Sequence, residues 1–244
     1  IADVFTGLKG SGEENICLKY VARHPLKATY TNNLETEMRL QTDAFDLLQK
    51  EEKSGTPMAK IPQPVAYLKT DAGGEYLAME RVHGKTLYRI LLERLAEQMP
   101  ETLFLPGMRR EDIPGLSDED MERMVVWDYL NAQHRTSKEL YSLILKRLER
   151  DPFLSADVFE KVRNAIGALN TAGFFHRDLH EKNIMLTDDL SDAYLIDFGS
   201  SSHGEHSSAQ EAFETEKWGE SIKFLDDKYI LHVLRRLTVP RARA

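Results

Sequence analysis

The chain has 244 residues, 41% hydrophobic and 30% charged, with a formal net charge of −8. That length supports one large domain or two small lobes with real cores, and the acidic balance argues against nucleic-acid binding through overall charge, while leaving a local basic patch open. The single cysteine, Cys17, excludes an internal disulfide and a Cys-rich zinc site, and neither a signal peptide nor a run of ~20 apolar residues able to span a membrane is visible.

In chain order, IADVFTGL (residues 1–8) and ICLKYV (16–21) are predicted strands around a GSGEEN turn (10–15), a hairpin. From about Thr31 to Lys50 the period becomes helical, with Leu34, Met38, Phe45 and Leu48 near one face. A Pro-rich loop, SGTPMAKIPQP, leads to two strands, VAYLKT and EYLAMERV, around the DAGG turn at 71–74. The texture changes at about 82–86. LYRILLERLAEQM is predicted helical, and the following stretch with three prolines is read as an irregular loop. Ser117 is a candidate N-cap with acids behind it, opening a helical stretch to about Arg150. Ser155–Ala172 is a further helix with Val162, Ile166 and Leu169 on one stripe and Gly173 as its stop. FFHRDLHEKN, the strand IML, a TDDLSD turn and the strand AYLIDFG follow, then a polar loop at 200–210 and a last helix over about 217–237. No internal repeat is present.

Two short strands joined by a turn bring the loop before the first and the loop after the second to one end. That places Asp178, Asn183 and Asp197 together. Such a set of hard oxygens suits Mg²⁺, which prefers a few carboxylates plus phosphate oxygens. In the first half, Lys19 sits mid-strand between Leu18 and Tyr20. It is either solvated or held by an anion, and Glu37 on the next helix is a candidate partner. Glu35 is also available, but at ~100° per residue the two cannot both face one cleft. A Lys held by a Glu and aimed at a cleft is a phosphate-grasping device.

HRDLHEKN, IDFG, the ICLK strand and a Glu on the next helix together resemble the protein-kinase-like superfamily over nearly the whole chain. The resemblance implies an α+β, bilobal fold: a small antiparallel-sheet lobe with one helix (1–84, hinge at 80–84) and a truncated helical lobe (85–244). The second would carry a helical insertion at about 88–150, the catalytic loop at 176–183 and the metal-binding DFG at 197–199. It implies ATP and Mg²⁺ as cofactors, Asp178 as the base for an acceptor hydroxyl, Asn183 and Asp197 as metal ligands, and Lys19 on the phosphates with Glu37 as its ion-pair partner. Met79 would be the gatekeeper, the backbones of Glu80 and Val82 would face the adenine, and Cys17 and Val4 would line its pocket. Val4 lies fifteen residues before Lys19, so the Gly-rich loop is expected upstream of residue 1.

Four features depart from typical protein kinases. Position 180 is His rather than Lys, as in aminoglycoside- and choline-type kinases, and it is read either as a phosphate contact or as a structural hydrogen-bonding group. About 90 residues separate hinge and catalytic loop, there is no APE motif, and only 45 residues follow Gly199. The tail resembles truncated RIO-type, KEOPS-type and bacterial effector kinases, while Arg177 in HRD is a protein-kinase feature. The leading expectation is an atypical Ser/Thr protein kinase; a small-molecule kinase using the insertion as its substrate wall is the alternative, and an ATPase switch or pseudokinase partner protein is a third. His176 is expected to pack beneath the loop. Ser200, Ser201, Ser202, Ser207 and Ser208 read as a flexible polar segment, and Cys17 as an apolar filler. A cytoplasmic location, or delivery into a host cytosol for an effector, would follow.

Overall fold

A computed structural model describes residues 2–6, 15–21, 33–71, 74–98, 104, 108–125, 146, 148–204 and 225–240. Strands β1 (Ala2–Thr6) and β2 (Ile16–Val21) form the expected antiparallel hairpin, with Val4 opposite Lys19. With β3 (Pro64–Lys69) and β4 (Glu75–Glu80) they make a four-stranded antiparallel sheet in the order β1-β2-β4-β3. Helix α1 (Leu34–Glu52) packs on β3 and β4. Its start is set by Asn33, whose side chain accepts from the Thr36 amide at 2.7 Å, with Glu35 and Glu37 in the first turn.

The buried face of α1 differs from the expected stripe. Leu34 and Leu48 are inside, but Met38 and Phe45 are only half-buried, and Glu37, Leu40, Gln41 and Ala44 turn inward instead. Two polar residues on that face are tolerated because each has a partner: Glu37 meets Lys19, and Gln41 Nε2 donates to the Pro62 carbonyl at 2.7 Å. A periodicity count of apolar letters misses a face that contains paired polar groups.

The remaining elements surround short strands. β5 (Gly84–Thr86) pairs with β7 (Ile184–Thr187), and β7 with β8 (Ala193–Leu195), in a three-stranded antiparallel sheet. Helix α2 (Leu87–Glu97) is capped by Thr86, α3 (Asp118–Glu122) by Ser117 and α4 (Ala156–Thr171) by Ser155. Gly173 stops α4 with φ 74°, a left-handed value that favours glycine. Helix α5 (Leu225–Leu237) packs on α4. The helical stretch expected to follow α3 lies outside the described residues over 126–145, as do the 7–14 turn, residues 72–73 and the segment 205–224.

The polar loop expected at 200–210 is corrected over its first part. β6 (Phe174–Phe175) pairs with β9 (Ser202–His203), Ser201 is buried, and its hydroxyl donates to the His176 carbonyl at 3.2 Å. Backbone pairing carries this short ladder, so polar side-chain letters do not reveal it. Ser207 and Ser208 lie outside the described residues.

The loop between α1 and β3 ties the two halves together. Lys60 N–H donates to the Ala193 carbonyl at 2.8 Å, Leu195 N–H returns to the Lys60 carbonyl at 2.9 Å, and Ala59 N–H donates to Lys161 O at 2.9 Å. The Asp192 carboxylate holds Lys60 at 2.7 Å and also Lys161. Helix α1 is thus fixed relative to β8, and one apolar cluster runs from Leu40 and Ala44 through Leu91, Val162 and Phe198 to Leu234. The fold is α+β, as expected, with a four-stranded antiparallel sheet and α1 in the first part and mostly helices around short strands in the second. Among the described residues no helix is long and apolar enough to cross a membrane.

Candidate active site

Alternation along β2 puts Cys17 and Lys19 on one face. Lys19 is only 9% exposed, and its ammonium donates to Glu37 Oε1 and to Asp197 Oδ1, both at 2.7 Å. Glu37 is 2% exposed, whereas Glu35 points to solvent. Burial works against the charge on Lys19, but the two carboxylates outweigh it and hold its pKa above the usual value. Burial also opposes ionisation of Asp197, yet Lys19 and the Gly199 amide bring its carboxyl below the usual range. Glu37 moves the other way: burial, helped by the Asp197 charge, raises it more than Lys19 lowers it. The Gly199 amide donates to Asp197 Oδ1 at 3.3 Å, and a Cβ on Gly199 would lie 3.2 Å from that oxygen and 3.4 Å from Glu37 Oε2. Glycine therefore permits the close approach of the two carboxylates.

Asp197 itself has φ 64°, and Arg177 in the facing loop has φ 67°. Non-glycine residues in this region are uncommon and cluster where surrounding structure fixes a functional geometry. Beneath the loop, His176 is 2% exposed and packs on the Phe198 ring, 4.8 Å between centroids. Burial pushes its pKa down, so the ring is neutral; Nε2 donates to the Ile196 carbonyl at 2.9 Å, and Nδ1 is buried without a hydrogen-bond partner among the described residues.

Asn183 joins the loop to the strands. Its Nδ2 donates to the Asp178 carbonyl at 2.7 Å and to Asp178 Oδ2 at 3.3 Å, and its own carbonyl accepts from the Ile196 amide at 3.0 Å. His180 Nδ1 accepts from the Lys182 amide at 3.1 Å, so a neutral ring carries its proton on Nε2, which lies 3.5 Å from Asp178 Oδ1. Glu37, Lys19 and Asp197 thus form one directly bonded group, and Asp178, His180 and Asn183 another, joined through the 183–196 backbone pair. Asn183 Nδ2 also lies 3.3 Å from His180 Nε2, so the amide nitrogen of Asn183 faces Asp178 and His180. Among the described residues no three His, Cys, Asp or Glu side chains are grouped to hold a metal by themselves. Asp197 and Asn183 carry side-chain oxygens of the kind Mg²⁺ would use, since it takes one or two protein oxygens and completes its shell with phosphate and water.

On the sheet side, Cys17 lies opposite Met79 across β2 and β4, and Gln41 Nε2 reaches Met79 Sδ at 3.8 Å. Cys17 is half-buried; burial raises its thiol pKa, with Arg81 partly offsetting, so it is a neutral thiol. The Glu80 amide is already bonded to the Gln63 carbonyl at 2.8 Å, so Glu80 can offer an incoming base only its carbonyl. Val82 follows two residues on, half-buried, just before β5. Val4 is placed opposite Lys19 by its backbone register.

Other residues around this site were given no role by the sequence. A cavity of about 400 Å³ beside the 176–183 loop is lined by Tyr88, Asp118, Glu119, Glu122, Arg123 and Lys182. Its floor is held by Arg89, 7% exposed, whose guanidinium spans Glu93 (2.7 Å), Asp118 (3.1 Å) and the Leu116 (2.6 Å) and Ile113 (3.2 Å) carbonyls. On the other side of the loop, the Tyr229 hydroxyl of α5 donates to the buried Glu181 Oε1 at 2.8 Å.

With this geometry in hand, the sequence matches the family described as the phosphotransferase enzyme family over residues 8–205. A PAS domain-containing serine/threonine-protein kinase of Mus musculus is 32% identical over 82 residues, a stretch covering 34% of this chain and 6% of that protein. The solved structure of the Cydia pomonella granulovirus kinase PK-1 overlays 80% of this chain on 46% of its own, at 13% sequence identity and a TM-score of 0.38.

Proposed function

The chain belongs to the phosphotransferase enzyme family, and on that premise we propose that it transfers the γ-phosphoryl group of ATP to a hydroxyl, with Mg²⁺. One observation carries the reading: a buried Lys19 bonded at once to Glu37 and Asp197, beside an Asp178 held by Asn183. Mg²⁺, when bound, neutralises phosphate charge and fixes the phosphoryl group in line. Lys19, kept charged by its two carboxylates, is the residue that grips the phosphates, and Glu37 keeps it aimed. Asp197 and Asn183 would hold the metal, and the Asn183 amide orients Asp178. Asp178 accepts the acceptor's proton at a carboxylate oxygen, and His180, with Nε2–H toward Asp178, steadies that carboxylate. Residues 80–84 form the hinge between lobes 1–84 and 85–244, with the Glu80 carbonyl, Val82, Met79, Cys17 and Val4 around the adenine. This division of labour demands positioning and charge neutralisation rather than covalent chemistry.

The acceptor reading favoured by the cavity is a small alcohol bearing a positive charge. The space has the size of a small-molecule site, and its lining carries three carboxylates, Asp118, Glu119 and Glu122, against Arg123 and Lys182. A second reading, a Ser/Thr hydroxyl on a protein, is supported by Arg177 of HRD and by the 82-residue likeness to a serine/threonine-protein kinase. ADP release and intact mass, measured after incubation with ATP and Mg²⁺, separate them. The first reading expects ADP release to rise when amino alcohols are supplied and the protein mass to stay constant. Phosphate gained by the chain or by a basic test protein establishes the second. A chain that binds ATP but forms no ADP with any acceptor contradicts both.

A further inference from the structure

Lys182 is the residue of the catalytic loop that leaves the loop for the cavity. Its neighbours Glu181 and Asn183 are buried at 6% and 5% exposure, whereas Lys182 is exposed. Its ammonium lies 4.4 Å from the centroid of the Tyr88 ring and 3.4 Å from Glu122 Oε2. Tyr88 is the aromatic face of the cavity, and its hydroxyl is hydrogen-bonded to the same Glu122. An aromatic face with a carboxylate at its rim is a seat for a cation, and here a side chain of the chain itself occupies it. Neither contact is deep: the side chains of Lys182 and Glu122 are 53% and 38% exposed. Pairs of that exposure are weak and exchange readily with another cation.

We propose that Lys182 is a specificity filter for the acceptor site, filling the Tyr88–Glu122 cation seat until the positive group of an acceptor displaces it. The proposal rests on the cationic-acceptor reading above. A neutral alcohol has nothing to offer Tyr88 and Glu122 in exchange, so Lys182 stays and narrows the cavity. A cationic alcohol replaces it and releases the Lys182 side chain to solvent. The Lys182 amide meanwhile remains on His180 Nδ1 (3.1 Å), so side-chain displacement leaves the support of Asp178 intact. The seat and the reacting end of the loop are thus close but separately held.

The test is a calorimetric titration with tetramethylammonium chloride at constant ionic strength. The wild-type chain, Lys182→Met and Arg123→Met are compared, with Lys182→Met/Tyr88→Ala as the fourth. Arg123 lines the same cavity, so its removal changes the charge equally without vacating the seat. The expected result is about tenfold tighter binding to Lys182→Met, the size of a single displaced surface contact. Arg123→Met should stay within about threefold of wild type by long-range charge alone, and the Tyr88→Ala addition should remove the gain. Equal affinity in wild type and Lys182→Met, or the same gain in Arg123→Met, overturns the filter and leaves the cationic-acceptor reading standing. No binding to any of the four overturns that reading and the filter with it, without touching phosphoryl transfer, which ADP release reports.

Discussion

His176 shows how one buried side chain can make stability depend on pH. It is 2% exposed, neutral, and has one ring nitrogen bonded and the other without a partner among the described residues. Its folded pKa lies below the ordinary 6.5. Above that value the folded and unfolded chains are both neutral at this residue, and its full contribution is present. As pH falls below 6.5 the unfolded chain binds the proton first, so stability is lost down to the folded pKa, by at most about 1.4 kcal/mol per pH unit. Glu37 and Glu181 have raised pKa values and act with the opposite sign, gaining protons in the folded chain as pH falls. The quantity to measure is therefore a difference: the melting temperature of wild type should fall more steeply from pH 7 to pH 5 than that of His176→Phe. Parallel slopes would mean that His176 titrates like a solvated histidine.

At the scale of elements, Arg89 is the tie that makes α2, the turn at 110–115 and α3 one unit. Its donors reach Glu93 within its own helix, Asp118 at the start of α3, and carbonyls of the turn between them. Arg89→Ala leaves buried carbonyls without donors and should cost about 3 kcal/mol in denaturant unfolding. Arg89→Lys should recover little, because an ammonium cannot span the same fork of acceptors. Full stability in either variant would show that the turn finds other donors. None of this was legible in the sequence. LYRILLERL announces a helix by its period, and the α2 and α3 caps at Thr86 and Ser117 follow from local rules, but a buried arginine reads like a solvated one until its partners are known. The two-residue ladder between β6 and β9 was hidden for a similar reason, since backbone pairing leaves no trace in polar side chains. The first hairpin, α1, α4 and the β7–β8 pair were legible because each is set by residues close in sequence.

For the whole molecule, the site is the place where distant segments meet. Lys19 and Asp197 are 178 residues apart in sequence and 2.7 Å apart in space. The sequence grouped Asp178, Asn183 and Asp197 and gave Lys19 a partner in Glu37, each from a short recognisable setting; the direct contact of Lys19 with Asp197 comes from the structure. The choice of Glu37 over Glu35 needed the rotation of α1, which the structure supplies. The cavity proposed for the acceptor was not legible beyond the expectation of a substrate wall in the 88–150 insertion, since Tyr88, Glu122 and Lys182 come from three separate elements. The stitched loop at 59–60 holds α1 against β8 and so keeps Glu37, Lys19 and Asp197 in register; on the proposed function these contacts preform the phosphate grip. The same proposal has the Lys19 grip serve the phosphates and Asp178 serve the acceptor hydroxyl, as separate tasks. The most direct measurement is Mg²⁺-dependent ADP formation beside ATP affinity, for wild type and Asp178→Asn, with amino alcohols present. Wild type should bind ATP and form ADP, and Asp178→Asn should lose about 100-fold or more in rate while its ATP affinity stays within about threefold. An Asp178→Asn variant that keeps its rate, or a wild-type chain that neither binds ATP nor forms ADP, would contradict it.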